Sequence, residues 1–242
     1  MRLDNALVEI GLAPSRARAR DAILRGHVTV DGVATGKPSL AVSSHMRLEI
    51  SDPVIAYVSR AALKLVAALD HFGYSANGTT ALDIGASTGG FTEVLLECGA
   101  LRVFSLDVGH GQLHQRLAAD PRVVNLEGAN ARDLKPASIG EPVRAITADV
   151  SFISLRLALP PALALASDHA WGIFLVKPQF EVGRDHIGKG GIVRDSEIGR
   201  AAANSIARWM EEDIGWIVDG IIDSPIEGGS GNHEYLLGAR RG

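Results

Sequence analysis

The 242-residue chain carries 24 Lys and Arg against 28 Asp and Glu, a formal net charge of −4, with 46% hydrophobic and 21% charged residues. This composition fits a globular chain, excludes a disordered one, and the length allows one small and one ordinary domain. Cys98 is the single cysteine, which excludes an internal disulfide and fits a reducing compartment. No stretch reaches the ~18 consecutive apolar residues of a spanning helix; the longest, Leu157 to Ala166, is interrupted by Pro160 and Pro161. The N-terminus shows no basic region followed by an apolar stretch, so no secretion signal is expected and the chain reads as cytoplasmic. The charge is uneven. Residues 1–58 hold seven Lys/Arg against six Asp/Glu, a net of +1, and residues 59–242 hold seventeen against twenty-two, a net of −5. Phosphate affinity depends on local clusters, so the total neither proves nor excludes a nucleic-acid partner.

Residues 2–12 place Leu3, Leu7 and Ile10 on one helical face ended by Gly11. A second helix is expected from Arg16 to Leu24 with Ser15 as its N-cap. The pair Asp31-Gly32 between short β-branched stretches predicts a hairpin. Arg16 and Arg20 share a helical face, and Arg18 points elsewhere; on charge alone they read first as a solvated face. A linker is expected over about residues 50–58, which separates a small first domain and linker, residues 1–58, from a second domain, residues 59–242.

Beyond the linker, a helix near 60–72 precedes strands near 80–84, 102–107, 122–126, 144–149 and 171–177. Helices are expected near 90–98, 111–119, 154–167 and 195–211, and two closing strands near 215–222 and 233–239. The alternation predicts an α/β fold with a doubly wound, Rossmann-like parallel sheet whose ligands sit at the carboxyl ends of its strands, and an antiparallel last strand. Residues 82–91, LDIGASTGGF, run a buried strand into a glycine-rich turn and a helix. The glycines allow close backbone approach and the helix start offers free N–H groups, which makes Asp83, Gly85, Ala86, Ser87, Thr88, Gly89, Gly90 and Phe91 a candidate cofactor site. The spacing G-x-x-x-G-G departs from the G-x-G-x-x-G of dinucleotide sites and is similar to the first motif of S-adenosylmethionine methyltransferases. Asp107, at the end of the second strand, suits a ribose in either kind of cofactor.

Four charged residues stand where charge is costly: Lys64 in the first helix, Asp149 after the fourth strand, Lys177 after a very apolar strand, and Glu234 at the start of the last. Topology brings Asp149, Lys177 and Glu234 to the sheet edge that carries the glycine turn. A sugar hydroxyl is a poor nucleophile and needs a base; a lysine serves only when neutral, a state favoured by desolvation and a second nearby cation such as Lys64. Phe152, just past Asp149, is a candidate to stack on a cofactor adenine or a core aromatic. The segment 179–194, with Gly183, Gly188, Gly190 and Gly191 beside Arg184, Lys189 and Arg194, reads as a closing loop or as a simple flexible one. His110, His114, His186 and His233 show no metal spacing, and no metal is expected.

Arg2-Leu3-Asp4, residues 11–20, the hairpin 26–32 and Lys37-Pro38 resemble the RNA-binding module first seen in ribosomal small-subunit protein four. The resemblance implies an α+β RNA-binding domain in which Arg16, Arg20 and Lys37 contact phosphates, with Arg2 and Arg18 as further candidates, and Arg60 and Lys189 beyond it. The order Lys64, Asp149, Lys177, Glu234 resembles the tetrad of FtsJ-like ribose 2′-O-methyltransferases. With YVSRAALKL, DIGASTGGFT, LDVGHGQL, ADVSFISL, LVKPQFEVG and GNHEYLL as they stand, the whole chain resembles the TlyA family, which often has glycine at Ala61 or Ala62. That resemblance implies S-adenosylmethionine as cofactor, ribosomal RNA or a ribosomal subunit as partner, and methylation of cytidine ribose. The rival readings are an RNA-binding assembly factor that keeps the fold without turnover, a haemolysin, since some members bear that name, and a dehydrogenase. A haemolysin lacks the export and membrane signals it would need here.

Overall fold

The computed structural model describes residues 1–228 and 231–242. The chain divides into two compact units, Met1–Tyr57 and Val58–Gly242.

In the first unit, α1 (Leu3–Glu9) and α2 (Arg16–Leu24) pack on a three-stranded antiparallel sheet of β1 (Val28–Val30), β2 (Val33–Ala34) and β3 (Leu48–Ile50), ordered β2-β1-β3. Ser15 Oγ accepts the Arg18 N–H at 3.3 Å and caps α2. Asp31 and Gly32 both take positive φ, +51° and +80°, the pairing that a two-residue turn between Val30 and Val33 requires. Leu3, Leu7, Ala19, Ile23 and Val28 form the core. The expected linker begins too early: Ile50 pairs with Val28 in the sheet, and Asp52 and Val54 are buried. The charged groups explain this, because Asp52 pairs with Arg25 while Arg18 donates to the carbonyls of Val54 and Tyr57.

The second unit opens with α3 (Ala62–Phe72), then alternates β4 (Thr80–Ile84), α4 (Gly90–Glu97), β5 (Arg102–Asp107), α5 (Gln115–Ala118), β6 (Val123–Glu127), α6 (Pro136–Ile139) and β7 (Val143–Ala148). It continues through α7 (Leu155–Ala158), α8 (Pro160–Leu163), β8 (Ala166–Val176), α9 (Pro178–Glu181), α10 (Ser196–Glu212), β9 (Trp216–Asp223) and β10 (Tyr235–Arg241). The sheet order is β6-β5-β4-β7-β8-β10-β9; neighbours from β6 to β8 run parallel, and β10 runs antiparallel to both β8 and β9.

Both faces are covered, because successive strand residues point to opposite sides. Leu82 and Ile84 of β4 join the core with Leu155, Leu159, Ile206, Trp209 and Met210, from α7, the α7–α8 junction and α10. Asp83, between them, faces the other way and meets Thr92 of α4. The helix expected over 154–167 is broken: Pro160 and Pro161 lack N–H groups, so α7 stops, α8 restarts on Pro160, and β8 begins by Ala166. The helix expected over 111–119 shrinks to one turn, since the N–H groups of Gly111, Gln112 and Leu113 donate to the Glu127 carboxylate.

One glycine sets the approach of α3 to the sheet. A Cβ on Gly238 in β10 would lie 2.7 Å from the Phe72 ring at the end of α3. Gly238→Ala is therefore expected to destabilise the fold by about 1–3 kcal/mol through overpacking, measured by urea unfolding; an unchanged midpoint would show that α3 yields freely.

Candidate active site

The glycine turn that follows β4 is shaped by contact as much as by flexibility. Gly85 adopts φ +80°, and a Cβ there would lie 2.5 Å from the Asp149 carbonyl oxygen. The ends of β4 and β7 can thus close on each other only with glycine at this position. Ser87 also takes positive φ, +48°, an uncommon conformation for a residue with a side chain. The Ser87 N–H donates to Asp107 Oδ2 at 2.8 Å and the Gly109 N–H to Oδ1 at 2.8 Å, so Asp107 ties the turn after β4 to the turn after β5. Glu127 lies beside Asp107 in register on β6. The backbone N–H groups of Leu113, Gln112 and Gly111 draw its carboxyl down to about 2.

These turns border a cavity of about 480 Å³. Ile84, Leu106, Val108, Val150, Ile153 and Ala158 give it an apolar lining, and Gly85, Ser87, Asp107, Gln112, Asn130, Arg132 and Asp149 add polar groups. Of the turn residues expected to hold a cofactor, Gly85 and Ser87 line it. Asp83, Gly90 and Phe91 do not, because each is buried behind the turn. Gly90 packs where a Cβ would meet Ser59 Oγ at 2.2 Å. Ala86 and Gly89 are also buried, and Thr88 is exposed outside the cavity lining. Asp83 is fully enclosed, and its two oxygens accept the hydroxyls of Thr92 (2.7 Å) and Thr147 (3.0 Å). Burial, with the Asp149 charge adding to it, pushes its carboxyl up to about 7 against those two hydrogen bonds.

Beside this cavity the four chemically conspicuous residues form two ion pairs. Lys64 Nζ donates to Glu234 Oε2 at 2.6 Å, and both side chains are buried. Lys177 Nζ lies 2.6 Å from Asp149 Oδ1 and donates to Ser151 Oγ at 2.8 Å. Buried ammonium and carboxylate groups are tolerated in this way, each charge compensated by its partner. A second recess of about 320 Å³ is lined by Lys177, Glu234, Ser151, Gln179, Phe180, Gly190, Gly191 and Asn232. Phe152 borders both spaces; it is 91% exposed, takes φ +65°, and its ring centroid lies 5.2 Å from that of Phe180.

The glycine-rich segment after β8 is more ordered than a simple loop. It contains α9 and a short 3-10 turn at Arg184–His186, and the Gly188 N–H donates to the Ile192 carbonyl. Asn232, almost wholly buried, accepts the Val193 N–H at 3.0 Å and donates to the Gly191 carbonyl at 2.9 Å. Asn232 was legible only as part of GNHEYLL. Gln112 is likewise legible only within LDVGHGQL, whereas Asn130 and Arg132, single polar residues in loops, give no signal. Glu181, legible only within LVKPQFEVG, accepts the Ser154 hydroxyl and the Leu155 N–H, which anchors α7.

Of the cations expected to meet RNA, Arg16, Arg20 and Lys37 are exposed on the first unit, as is Arg2, and Lys189 is exposed on the second. Arg60 is half-buried. Arg18 is turned inward to the 54–57 backbone, where its guanidinium donates to the Val54 and Tyr57 carbonyls. Among the described residues no group of three or more His, Cys, Asp or Glu could hold a metal ion, and no helix is long and apolar enough to cross a membrane.

The sheet order, the glycine turn and the cavity at the strand ends define a Rossmann-like methyltransferase. The fold is shared with a magnesium protoporphyrin IX methyltransferase from Synechocystis, at a TM-score of 0.52 and 14% identity over 76% of this chain and 83% of that one. The chain belongs to the FtsJ-like methyltransferase family, whose sequence profile matches residues 57–241, and residues 1–48 match the S4 domain. It is 48% identical over 240 residues to the 16S/23S rRNA (cytidine-2′-O)-methyltransferase TlyA of Mycobacterium tuberculosis, covering 99% of this chain and 89% of the relative. It is 40% identical to hemolysin A of Brachyspira hyodysenteriae over 98% of each chain. A solved structure named as a hemolysin, from Streptococcus thermophilus, superposes at a TM-score of 0.78 with 38% identity, over 100% of this chain and 88% of that one.

Asp83 provides a test of the buried network under the turn. Its folded carboxyl holds a proton to about pH 7, well above the ordinary carboxylate value of 3.8. The folded state therefore binds more protons than the unfolded state between these values, and the Asp83 contribution to stability falls as pH rises through that window. Urea unfolding at pH 5 and pH 8 should show Asp83→Asn gaining on the wild type at the higher pH. A difference independent of pH would contradict the assignment.

Proposed function

We propose that the chain is a cytoplasmic enzyme that transfers a methyl group from S-adenosylmethionine to the ribose 2′-oxygen of cytidine in ribosomal RNA. The observation that carries this reading is the pair of lysine–carboxylate couples, one buried and one largely so, beside a cavity of about 480 Å³. An RNA-binding protein has no need of such costly charges, and a methyltransferase acting on a hydroxyl does. The named activity of the Mycobacterium tuberculosis relative points the same way.

The cavity residues suit the cofactor. Asp107 would accept hydrogen bonds from ribose hydroxyls, Gly85 and Ser87 would face the amino-acid portion, and the apolar wall with Phe152, Asn130 and Arg132 would hold the adenine. S-adenosylmethionine supplies a methyl group already activated on a sulfonium. The protein contributes positioning and proton removal. The target nucleotide would enter the recess between Lys177 and Glu234, where Lys177 is the base for the 2′-hydroxyl, with Asp149 and Ser151 fixing its amine. The hydroxyl proton would pass to the Lys177 amine, which can accept it only in its neutral form, and the ammonium so formed would be the partner of Asp149. Lys64 balances Glu234 and holds it in the lining of the recess. Arg2, Arg16, Arg20 and Lys37 of the first unit, with Arg60 and Lys189 of the second, would contact phosphates, which position RNA without reading its sequence.

The test is Lys177→Ala, with transfer to unmodified ribosomal subunits and S-adenosylmethionine binding measured side by side. Transfer should fall by roughly 10²–10⁴-fold, the usual contribution of a general base, while cofactor binding persists. Unchanged turnover would remove Lys177 as the base. Cofactor binding with no transfer by the wild type would favour the RNA-binding assembly factor.

A further inference from the structure

Asp4 is a carboxylate in an unexpected place, on the first turn of α1 in the unit that carries the candidate RNA-binding cations. Its side chain is wholly buried, where an apolar residue would carry no desolvation cost. Arg2 Nε and Nη2 each donate to one Asp4 oxygen at 3.0 Å, a bidentate pair. Arg16 Nε, from the start of α2, donates to Asp4 Oδ2 at 3.0 Å, and the Asn5 N–H donates to Oδ1 at 3.1 Å. One carboxylate therefore joins two arginines fourteen residues apart along the chain. The hydrogen bonds from Arg2, then those from Arg16, hold the Asp4 carboxyl far below the usual carboxylate range despite its burial.

Each arginine touches Asp4 with one side of its planar fork. The Arg2 and Arg16 side chains remain 43% and 59% exposed, so their other N–H groups face water. The backbone adds a third cation nearby. The Asp4 N–H donates to the Pro38 carbonyl at 3.1 Å and the Leu3 N–H to the Leu40 carbonyl at 2.8 Å, which lays the segment carrying exposed Lys37 against the start of α1. Two guanidinium groups would repel each other and spread apart unless an anion lies between them. Here that anion is internal and permanent.

We propose that Asp4 is a positioning residue that locks Arg2 and Arg16 into one preorganised clamp for the RNA phosphodiester backbone. This rests on the reading of the chain as an RNA-acting enzyme, and its consequence runs against simple charge counting. Removing a negative charge from the RNA-binding unit should weaken RNA binding, because the arginines lose their shared anchor and must be ordered by the ligand instead.

The test compares wild type, Asp4→Asn, Arg2→Ala with Arg16→Ala, and all three substitutions together. Binding of deproteinised, unmodified 16S and 23S rRNA is measured across salt concentrations, with transfer kinetics on unmodified subunits in parallel. Asp4→Asn should lower affinity by about tenfold and make the salt dependence shallower by about one unit, with KM raised and kcat unchanged. In the double-alanine background Asp4→Asn should change affinity no further, whereas a purely structural role would cost affinity in both backgrounds. Wild-type or tighter RNA binding by Asp4→Asn, or an equal loss in both backgrounds, would overturn the proposal. Should Asp4→Asn fail to fold, Arg2→Lys with Arg16→Lys keeps both charges and removes the fork; it should bind as weakly as the double alanine, and wild-type affinity would overturn the clamp. The binding comparison does not depend on turnover, so a wild type that binds rRNA without methylating it would sink the enzymatic reading alone.

Discussion

Two lysine amines are held largely out of water at one edge of a parallel sheet, and each is tolerable only because a carboxylate lies 2.6 Å away. Removing one partner of a buried pair typically costs about 3–5 kcal/mol, since the charge left behind has no compensation. Much of the fold serves that requirement. Parallel β7 and β8 deliver Asp149 and Lys177 just past their carboxyl ends, and antiparallel β10 delivers Glu234 just before its start, to the same edge. Helix α3 brings Lys64 to Glu234 and packs closely on β10 where Gly238 leaves room for Phe72. On the other side of Asp149, Gly85 gives the glycine turn its close approach to β7. The costly charges and the cavity at the strand ends are thus neighbours by topology.

The general plan of the second unit was legible because its strands are apolar runs punctuated by glycine and proline, and because strand ends carry conspicuous charges. The pairing of those charges was not legible. Sequence places Lys64, Asp149, Lys177 and Glu234 near one edge, but which amine meets which acid depends on side-chain reach across α3, β7, β8 and β10. The glycine turn is legible as a segment and not residue by residue. A strand-turn-helix pattern marks the whole segment, whereas the alternation of the strand sends Asp83 into the interior and leaves Gly85 and Ser87 at the cavity. Local propensity failed where a distant carboxylate captured backbone donors: Glu127 holds residues 111–113 out of the helix that their composition suggested.

The first unit repeats the theme with opposite exposure. Arginines that look alike in GLAPSRARAR have different work. Arg18 satisfies carbonyls of its own chain, Arg16 shares a buried acid with Arg2, and Arg20 faces solvent. Spacing on a helix predicts which face a residue occupies, but the partner is decided by segments far along the chain, here residues 4 and 54–57. In both units a carboxylate removed from water fixes the position of cations, and cation geometry carries the chemistry assigned to each.

The central claim is that the paired charges act on a ribose hydroxyl, and the chemical position of the transferred methyl group tests it most directly. Purified protein would be given labelled S-adenosylmethionine and unmodified ribosomal subunits, and the label mapped to an atom. The account predicts label on a ribose 2′-oxygen of ribosomal RNA. Label on a base nitrogen or carbon would contradict it, because such a product has no use for the Lys177–Asp149 couple as a base toward a sugar hydroxyl.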